Sequence, residues 1–536
     1  MAVMRPAIMG RNGVVASAHP AASLAGLKVL MSGGNAVDAA IAVASTLNVA
    51  EPYMSGLGGD GVMLVTTPGA SAPVVIDYLG FAPQDVQPAG MQRSDTLNGP
   101  KAPLVPGAAK GWFAALQRFG TKSAGEIFAH AIDVAENGSP VTHKNAEFIN
   151  NNTHQISPHR LAAETFLTNG AAPKPHALIR QPKLAKTYRV LAEDGPDAIY
   201  DGPLGKEMCR SIQEAGGYLS MDDLRALKVN WPEPIGSPFH QYQIFGAPPP
   251  TCTIEYLELL RILENEDLPA MGHNSADYLH LLVEAIKLAS ADRIEYAMKS
   301  GFDHTSLLSG DYAASQASRI DRQTASQGRG ERFGEVEAGA VSPGVPGRKN
   351  GEHTTHFAVI DADGMAVNVT QSIGSPFGSG FMAGETGIMM NNFLDWTDLD
   401  PQSPNAMQPG KPMENCMSPG QIFVDGQFVS TLGTPGSWGI LQTTPQMMLN
   451  LLVHGMNIQE AIEAPRVRFM GGKQVIAEER IPADVLAELE ARGHQITRAG
   501  MLTYQVGGGH GTWRDPETGV MSAGADPRRD GYAMGW

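Results

Sequence analysis

The residues best placed to do chemistry lie between 352 and 392. Thr354-Thr355-His356-Phe357 puts two hydroxyls and an imidazole at the start of an apolar, β-favouring run that continues from Ala358 to Asp361. Asp361-Ala362-Asp363-Gly364 is turn chemistry, and Ala366 to Ser372 resumes as a second strand with Val367 and Val369 alternating with polar residues. Thr354 therefore stands at the mouth of a hairpin. The run Gly374-Ser375-Pro376-Phe377-Gly378-Ser379-Gly380 has too many glycines for a regular element and reads as a shaped loop beside the strand end. On composition alone a Thr-Thr pair at a strand start reports β propensity. In this setting it is a hydroxyl that could serve as a nucleophile, given a base and an oxyanion site.

Other chemistries are disfavoured by what the spacing lacks. Ser55-Gly56-Leu57-Gly58-Gly59-Asp60-Gly61 is glycine-rich but carries no Gly-Lys-Ser/Thr, so it is no phosphate cradle and instead leads into a core strand. His154, His159, His273 and His280 lack the spacing of a zinc site and read as polar or capping residues, and no metal is expected. Cys209, Cys252 and Cys416 are odd in number and far apart, which argues against a disulfide framework.

The chain that must position Thr354 has 536 residues, enough for a large core. An apolar content of 42% and a charged content of 18% are those of an ordinary globular protein. The net charge of −16 argues against nucleic acid or anionic membrane as partner, both of which need a basic face. The N-terminus has no long apolar run, and no 18-residue apolar stretch occurs, so a cytoplasmic location is expected.

Taken in order, Val14 to Ser17 reads as a strand and Ala21 to Met31 as a helix stopped by Gly33-Gly34. Asn35 caps a second helix, Ala36 to Leu47, whose small side chains suit close packing; Asp38 lies on it and reads as structural. Val62 to Thr66 and Val74 to Tyr78 are strands, and a helix runs from Val105-Pro106-Gly107 to about Arg118. Residues 122 to 300 are mostly helical by periodicity. Residues 310 to 350 read as a flexible surface segment. Gln421 to Val424 is a strand, and a helix starts near Trp438.

The motifs together resemble the γ-glutamyltransferase family, whose self-cleavage site reads Thr-Thr-His-(Tyr/Phe), followed by Asp-x-Asp-Gly and Phe-Gly-x-Gly-x-x-Ala-Gly-Glu-x-Gly-Ile. Here those are Thr354 to Phe357, Asp361 to Gly364 and Phe377 to Ile388. Gly33 to Ala40, Ala464-Pro465-Arg466 and Asp526-Pro527-Arg528 are further family phrases, so the likeness covers nearly the whole chain. It implies an α+β fold, a four-layer αββα Ntn-hydrolase sandwich. It also implies a precursor cut at His353–Thr354 into a large subunit, 1–353, and a small one, 354–536, that together form one structural unit.

In such a protein the free α-amine of Thr354 serves as base for its own hydroxyl, and its ordinary pKa of about 7.7–8.0 leaves much of it neutral near neutral pH. No cofactor is implied. The partners are a small-molecule amide, a water or amine acceptor and the other subunit, with a higher oligomer open. Thr355 and Ser372 keep hydroxyls where the family's threonines hydrogen-bond the nucleophile, and Gly436-Ser437 stands at the Gly-Gly pair of the oxyanion hole.

The substrate contacts depart from the family. Leu79 stands where an Arg binds the donor α-carboxylate. Gly374, Phe393 and Trp396 replace the groups that hold the amino end, with Asp395 one residue away, and Asn415-Cys416 replaces Ser-Ser. The expectation is an amidase with a changed, more apolar acyl pocket that is not selective for γ-glutamyl groups. A conventional γ-glutamyl hydrolase or transferase, a transferase or lyase built on the same Thr, and a non-catalytic binding protein are the alternatives.

Overall fold

The computed structural model describes residues 4–329 and 354–536. Two antiparallel sheets stack face to face. The first has six strands in the order Tyr532–Gly535, Gly13–Ser17, Thr355–Asp361, Ala366–Ser372, Asp60–Thr66 and Val74–Asp77. The second has seven, in the order Ile8–Gly10, Met521–Ala525, His510–Arg514, Gln427–Gly433, Gly420–Val424, Tyr242–Gly246 and Ile235–Phe239.

Strand alternation decides what each face covers. Met63, Val65, Phe357, Val359, Val367 and Val369 of the first sheet point outward and pack on the helices Pro20–Met31 and Ala36–Ala50. Val62, Leu64 and Val75 point inward to the large cluster between the sheets. The second sheet's outer face is covered by Thr253–Leu263, Ile440–Leu452 and Ile458–Glu463. The result is helix, sheet, sheet, helix, the αββα sandwich implied by the sequence.

Local signals explain the boundaries. Asn35 caps the helix Ala36–Ala50 and Asp38 closes a capping box with it. The Asp38 carboxylate also accepts from Thr121 N, Thr121 Oγ1 and Lys122 N, which fits its structural reading. The phrases Ala464-Pro465-Arg466 and Asp526-Pro527-Arg528, far apart in sequence, meet in a buried network: Arg466 donates to Asp526 at 2.6 Å and Arg528 to Glu478 at 2.6 Å.

Two expectations need correction. The region from 122 to 300 is mostly helical but contains the hairpin Ile235–Phe239 and Tyr242–Gly246, which completes the second sheet. The start of the segment read as flexible, Gly310–Ser318, is a helix that buries Ala313 and Gln316. Its hydrophobic positions are few, and the tertiary contact rather than periodicity holds it. The rest of that segment from residue 330 onward, and His353, lie outside the described residues.

Candidate active site

Thr354 opens the strand that follows the undescribed segment and is fully buried. Its Oγ1 donates to Ser372 Oγ at 3.3 Å, and that same oxygen accepts from Gly374 N at 2.9 Å. The pairing of Gln371 with Thr355 and of Ser372 with Asp60 sets this arrangement. Thr354, Ser372 and Asp60 lie in one cross-strand row on the inner face. The ladder continues through the Tyr78 N–H bond to the Gly61 carbonyl at 3.3 Å, which brings Leu79 into the same row beyond Asp60.

Thr355 does not join this row. Alternation turns it to the outer, helix-covered face, and its Oγ1 has no hydrogen-bond partner among the described residues. The hydroxyl expected to support Thr354 from this position is thus kept from it by the pleat of the strand.

The histidines beside the site are not bases. His356 Nδ1 meets Thr370 Oγ1 at 2.8 Å, and burial followed by the nearby His510 holds its pKa well below the usual range. Burial likewise pushes His510 down to about 3. Gly433 lacks a Cβ for a specific reason: one there would lie 2.4 Å from the His356 ring. That close approach packs the end of the strand Gln427–Gly433, just before Thr434 to Ser437, against His356 of the first sheet. Gly436 has φ +139° and Ser437 φ +54°, so Ser437 keeps the left-handed backbone that a glycine pair would adopt freely.

Sequence reasoning missed two groups. Arg529, 2% exposed, donates from Nη1 to the Thr354 carbonyl at 3.2 Å and so holds the backbone of that residue. Asp60, 1% exposed, accepts at Oδ1 from Gly107 N at 2.7 Å, with a further bond from the Gly80 amide. An acid inside a glycine-rich run that enters an apolar strand was the available signal for Asp60. For Arg529 there was none.

The substrate-binding positions separate into two groups. Leu79, Phe393, Trp396 and Cys416 fall in one buried apolar cluster together with Leu104 and Trp438. The Phe393 and Trp396 rings meet edge to face at 5.1 Å, and Trp396 lies 6.0 Å from Trp438. Behind Trp438, at 4.1 Å from its ring, is the Arg293 guanidinium, which is paired with Glu255 at 2.6 Å and Glu414 at 3.0 Å.

The remaining positions are tied to the scaffold. Asp395 is bonded to Arg93 at 2.9 Å and to Thr96 Oγ1 at 2.9 Å. Asn415 bonds Thr251 Oγ1 and its own Met417 N, pinning the turn before Thr253–Leu263. Gly374 has φ +94°, and a Cβ on it would fall 2.1 Å from Asn392 Oδ1. A side chain at 374 is therefore excluded by its neighbour.

Among the described residues, His280, Glu284 and His494 could together hold a metal ion. However, the Lys287 ammonium already donates to Glu284 at 2.6 Å and fills the place of a cation. The three cysteines are buried and form no disulfide with one another.

The arrangement has parallels among known proteins. Residues 22–536 match the model of the family described as Gamma-glutamyltranspeptidase. The chain is 35% identical to the acylase ACY 1 proenzyme of Pseudomonas sp. (strain SE83), over 97% of this chain and 93% of that protein. It is 33% identical to the glutathione hydrolase proenzyme of Bacillus subtilis (strain 168), over 98% of this chain and 92% of that one. The crystal structure of cephalosporin acylase from Bacillus halodurans superposes with a TM-score of 0.90 at 31% identity, covering 100% of this chain and 98% of that one.

Proposed function

This chain belongs to the gamma-glutamyltranspeptidase family and is an amidohydrolase or acyltransferase of that family, and on that premise we propose that Thr354 is its nucleophile and that its acyl pocket is not built for γ-glutamyl groups. Cleavage at His353–Thr354 would free the α-amine. That amine accepts the Oγ1 proton, Oγ1 attacks the substrate carbonyl, and the amine then passes the proton to the leaving amine. Water or an amine acceptor resolves the acyl-Thr ester. Residues 1–353 and 354–536 would be the two chains of one unit.

The observation that carries the reading is the row itself: Thr354 Oγ1 lies 3.3 Å from Ser372 Oγ, and the row ends at Leu79, an aliphatic residue of the main apolar core. The backbone amides of Gly436 and Ser437 are the proposed oxyanion donors, each typically worth roughly 3–4 kcal/mol to a transition state. Two cations packed close to Trp438 and to Asp395 are already paired with acids. Arg293 is paired with two acids and Arg93 with Asp395. Burying a glutamyl carboxylate unpaired would cost several kcal/mol.

Two measurements test this. A denaturing gel of the purified protein should show fragments 1–353 and 354–536, and Thr354→Ala should give one band. A competition between a γ-glutamyl anilide and an anilide of the same length lacking the α-amino and α-carboxyl groups should favour the latter in kcat/KM. Faster turnover of the γ-glutamyl compound would restore the glutathione-hydrolase reading.

A further inference from the structure

We propose that Asp60 is a specificity-determining residue of the acyl pocket, donating a hydrogen bond from Oδ2 to a neutral acceptor oxygen on the acyl chain and, once ionised, turning away acyl groups that carry a carboxylate there. The proposal rests on the reading of Thr354 as nucleophile and says which acyl groups that nucleophile receives.

The geometry comes from the strand register. Ser372 is the direct partner of Asp60, and both side chains are on the inner face with Thr354 on one side and Leu79 on the other. Asp60 thus lies between the proposed reacting hydroxyl and the apolar end of the pocket. Its carboxyl is held in a cradle of glycines. A Cβ on Gly80 would sit 1.8 Å from the Val105 carbonyl and 3.2 Å from Asp60 Oδ2, and one on Gly107 would sit 3.1 Å from Oδ1. The Val105 and Tyr78 carbonyls already require bare backbone at these two positions, and the acid packs against it.

The two oxygens differ. Oδ1 accepts from Gly107 N at 2.7 Å, whereas Oδ2 is buried with no hydrogen-bond partner among the described residues. A buried acid with one oxygen engaged by donors and the other unmatched is best satisfied by carrying its proton on the second. Burial, opposed by the amides of Gly107 and Gly80 and reinforced by Asp77, raises the Asp60 pKa to about 8. Around neutrality Oδ2 is therefore a donor without an acceptor. Of the groups facing it, Asp77 is itself raised to about 6, and Tyr78 and Tyr200 are pushed above the normal phenol range, so no fixed cation lies among them to ionise Asp60.

Adjacent strands lie about 4.8 Å apart, so Asp60 is two strands and about 10 Å of backbone from Thr354. With both side chains reaching inward, the matching oxygen is about four to five bonds from the acyl carbon. Once Asp60 ionises, above about pH 8, a carboxylate placed there would face a like charge.

The test compares p-nitroanilides of hexanoic, 4-oxopentanoic, 5-oxohexanoic and glutaric acids. For wild type, one of the two keto acyl groups should exceed hexanoyl at least tenfold in kcat/KM below pH 8 and lose that advantage above it, where glutaryl should be the poorest of the four. Taking the ratio of two substrates cancels any titration of the Thr354 α-amine. Asp60→Asn, whose carboxamide donates at every pH, should keep the ratio flat with pH, and Asp60→Ala should bring it to about 1. In the Thr354→Ala precursor, the infrared band of protonated carboxyls at pH 6.5, to which the buried Glu51 also contributes, should lose one component once Asp60→Asn is added.

A wild-type ratio near 1 for both keto groups, or a ratio that Asp60→Ala leaves unchanged, overturns the proposal. So does a pH-dependent fall that persists in Asp60→Asn, or no carboxyl stretch lost on that substitution. Failure of the Thr354 reading is distinct: no anilide is turned over and no fragments form, and the proposal falls with it.

Discussion

Gly374 tests whether the acyl pocket can be converted back to one that grips a glutamyl amino group. The family's Asn at this position would have to grow from a backbone at φ +94° into space 2.1 Å from Asn392 Oδ1. Asn392 cannot yield cheaply. Its Oδ1 accepts from Ser375 N at 2.8 Å and its Nδ2 donates to the Leu97 carbonyl at 2.9 Å, and the residue is fully buried. Gly374→Ala should therefore cost about 1–2 kcal/mol for the left-handed backbone. Displacing the Asn392 carboxamide adds roughly 1–3 kcal/mol for each buried group left unpaired. With two such partners the expected total is roughly 3–8 kcal/mol, and Gly374→Asn should cost no less and restore no γ-glutamyl turnover. The assay is the urea midpoint in the Thr354→Ala background, where unfolding is not complicated by release of a second chain. If Gly374→Ala is stable to within about 0.5 kcal/mol of its parent, the local geometry argued here is wrong.

Ser437 pays for its φ of +54° with strain, so Ser437→Gly should raise stability by up to about 1 kcal/mol while leaving turnover intact; a drop in the urea midpoint would refute the strain argument. In the wild type, kcat/KM should fall toward acid pH as the α-amine of Thr354, ordinarily titrating near 7.7–8.0, gains a proton. His356 and His510 are held neutral by burial, so an additional limb near pH 6.5 that disappears on replacing either would contradict this assignment. Glu51, buried beside Arg529, has its pKa raised from 4.5 to about 8, chiefly by burial. A raised acid binds its proton more tightly in the fold, so its contribution is complete below pH 4.5 and is lost as pH climbs through about 8. Glu51→Gln should flatten that decline in the urea midpoint, and an unchanged slope would count against it.

Much of the sandwich was legible because its signals are local. The hairpin 355–372 follows from β-favouring alternation around Asp361-Ala362-Asp363-Gly364, and the helix Ala36–Ala50 from the Asn35 cap. Periodicity failed where the partner is distant: Ile235–Phe239 is a strand because it pairs with Tyr242–Gly246 at the edge of the second sheet, and Gly310–Ser318 is a helix because it packs on the core.

At the site, the sequence alone determined residue types: a Thr at a strand mouth, a hydroxyl at Ser372, and aliphatic or absent side chains at Leu79 and Gly374. Which of them meet was decided by tertiary structure, since register is a property of paired strands and not of one. Alternation sent Thr355 to the opposite face from Thr354. Register placed Asp60, a residue unremarkable in a glycine-rich run, between Ser372 and Leu79. Packing turned Asp395 and Asn415 into scaffold contacts and put Arg529, 175 residues away in sequence, on the carbonyl of Thr354. Contacts of that separation leave no periodic trace in a chain, because the free energy that fixes them comes from burial and hydrogen bonding between segments that meet only when the sheets close.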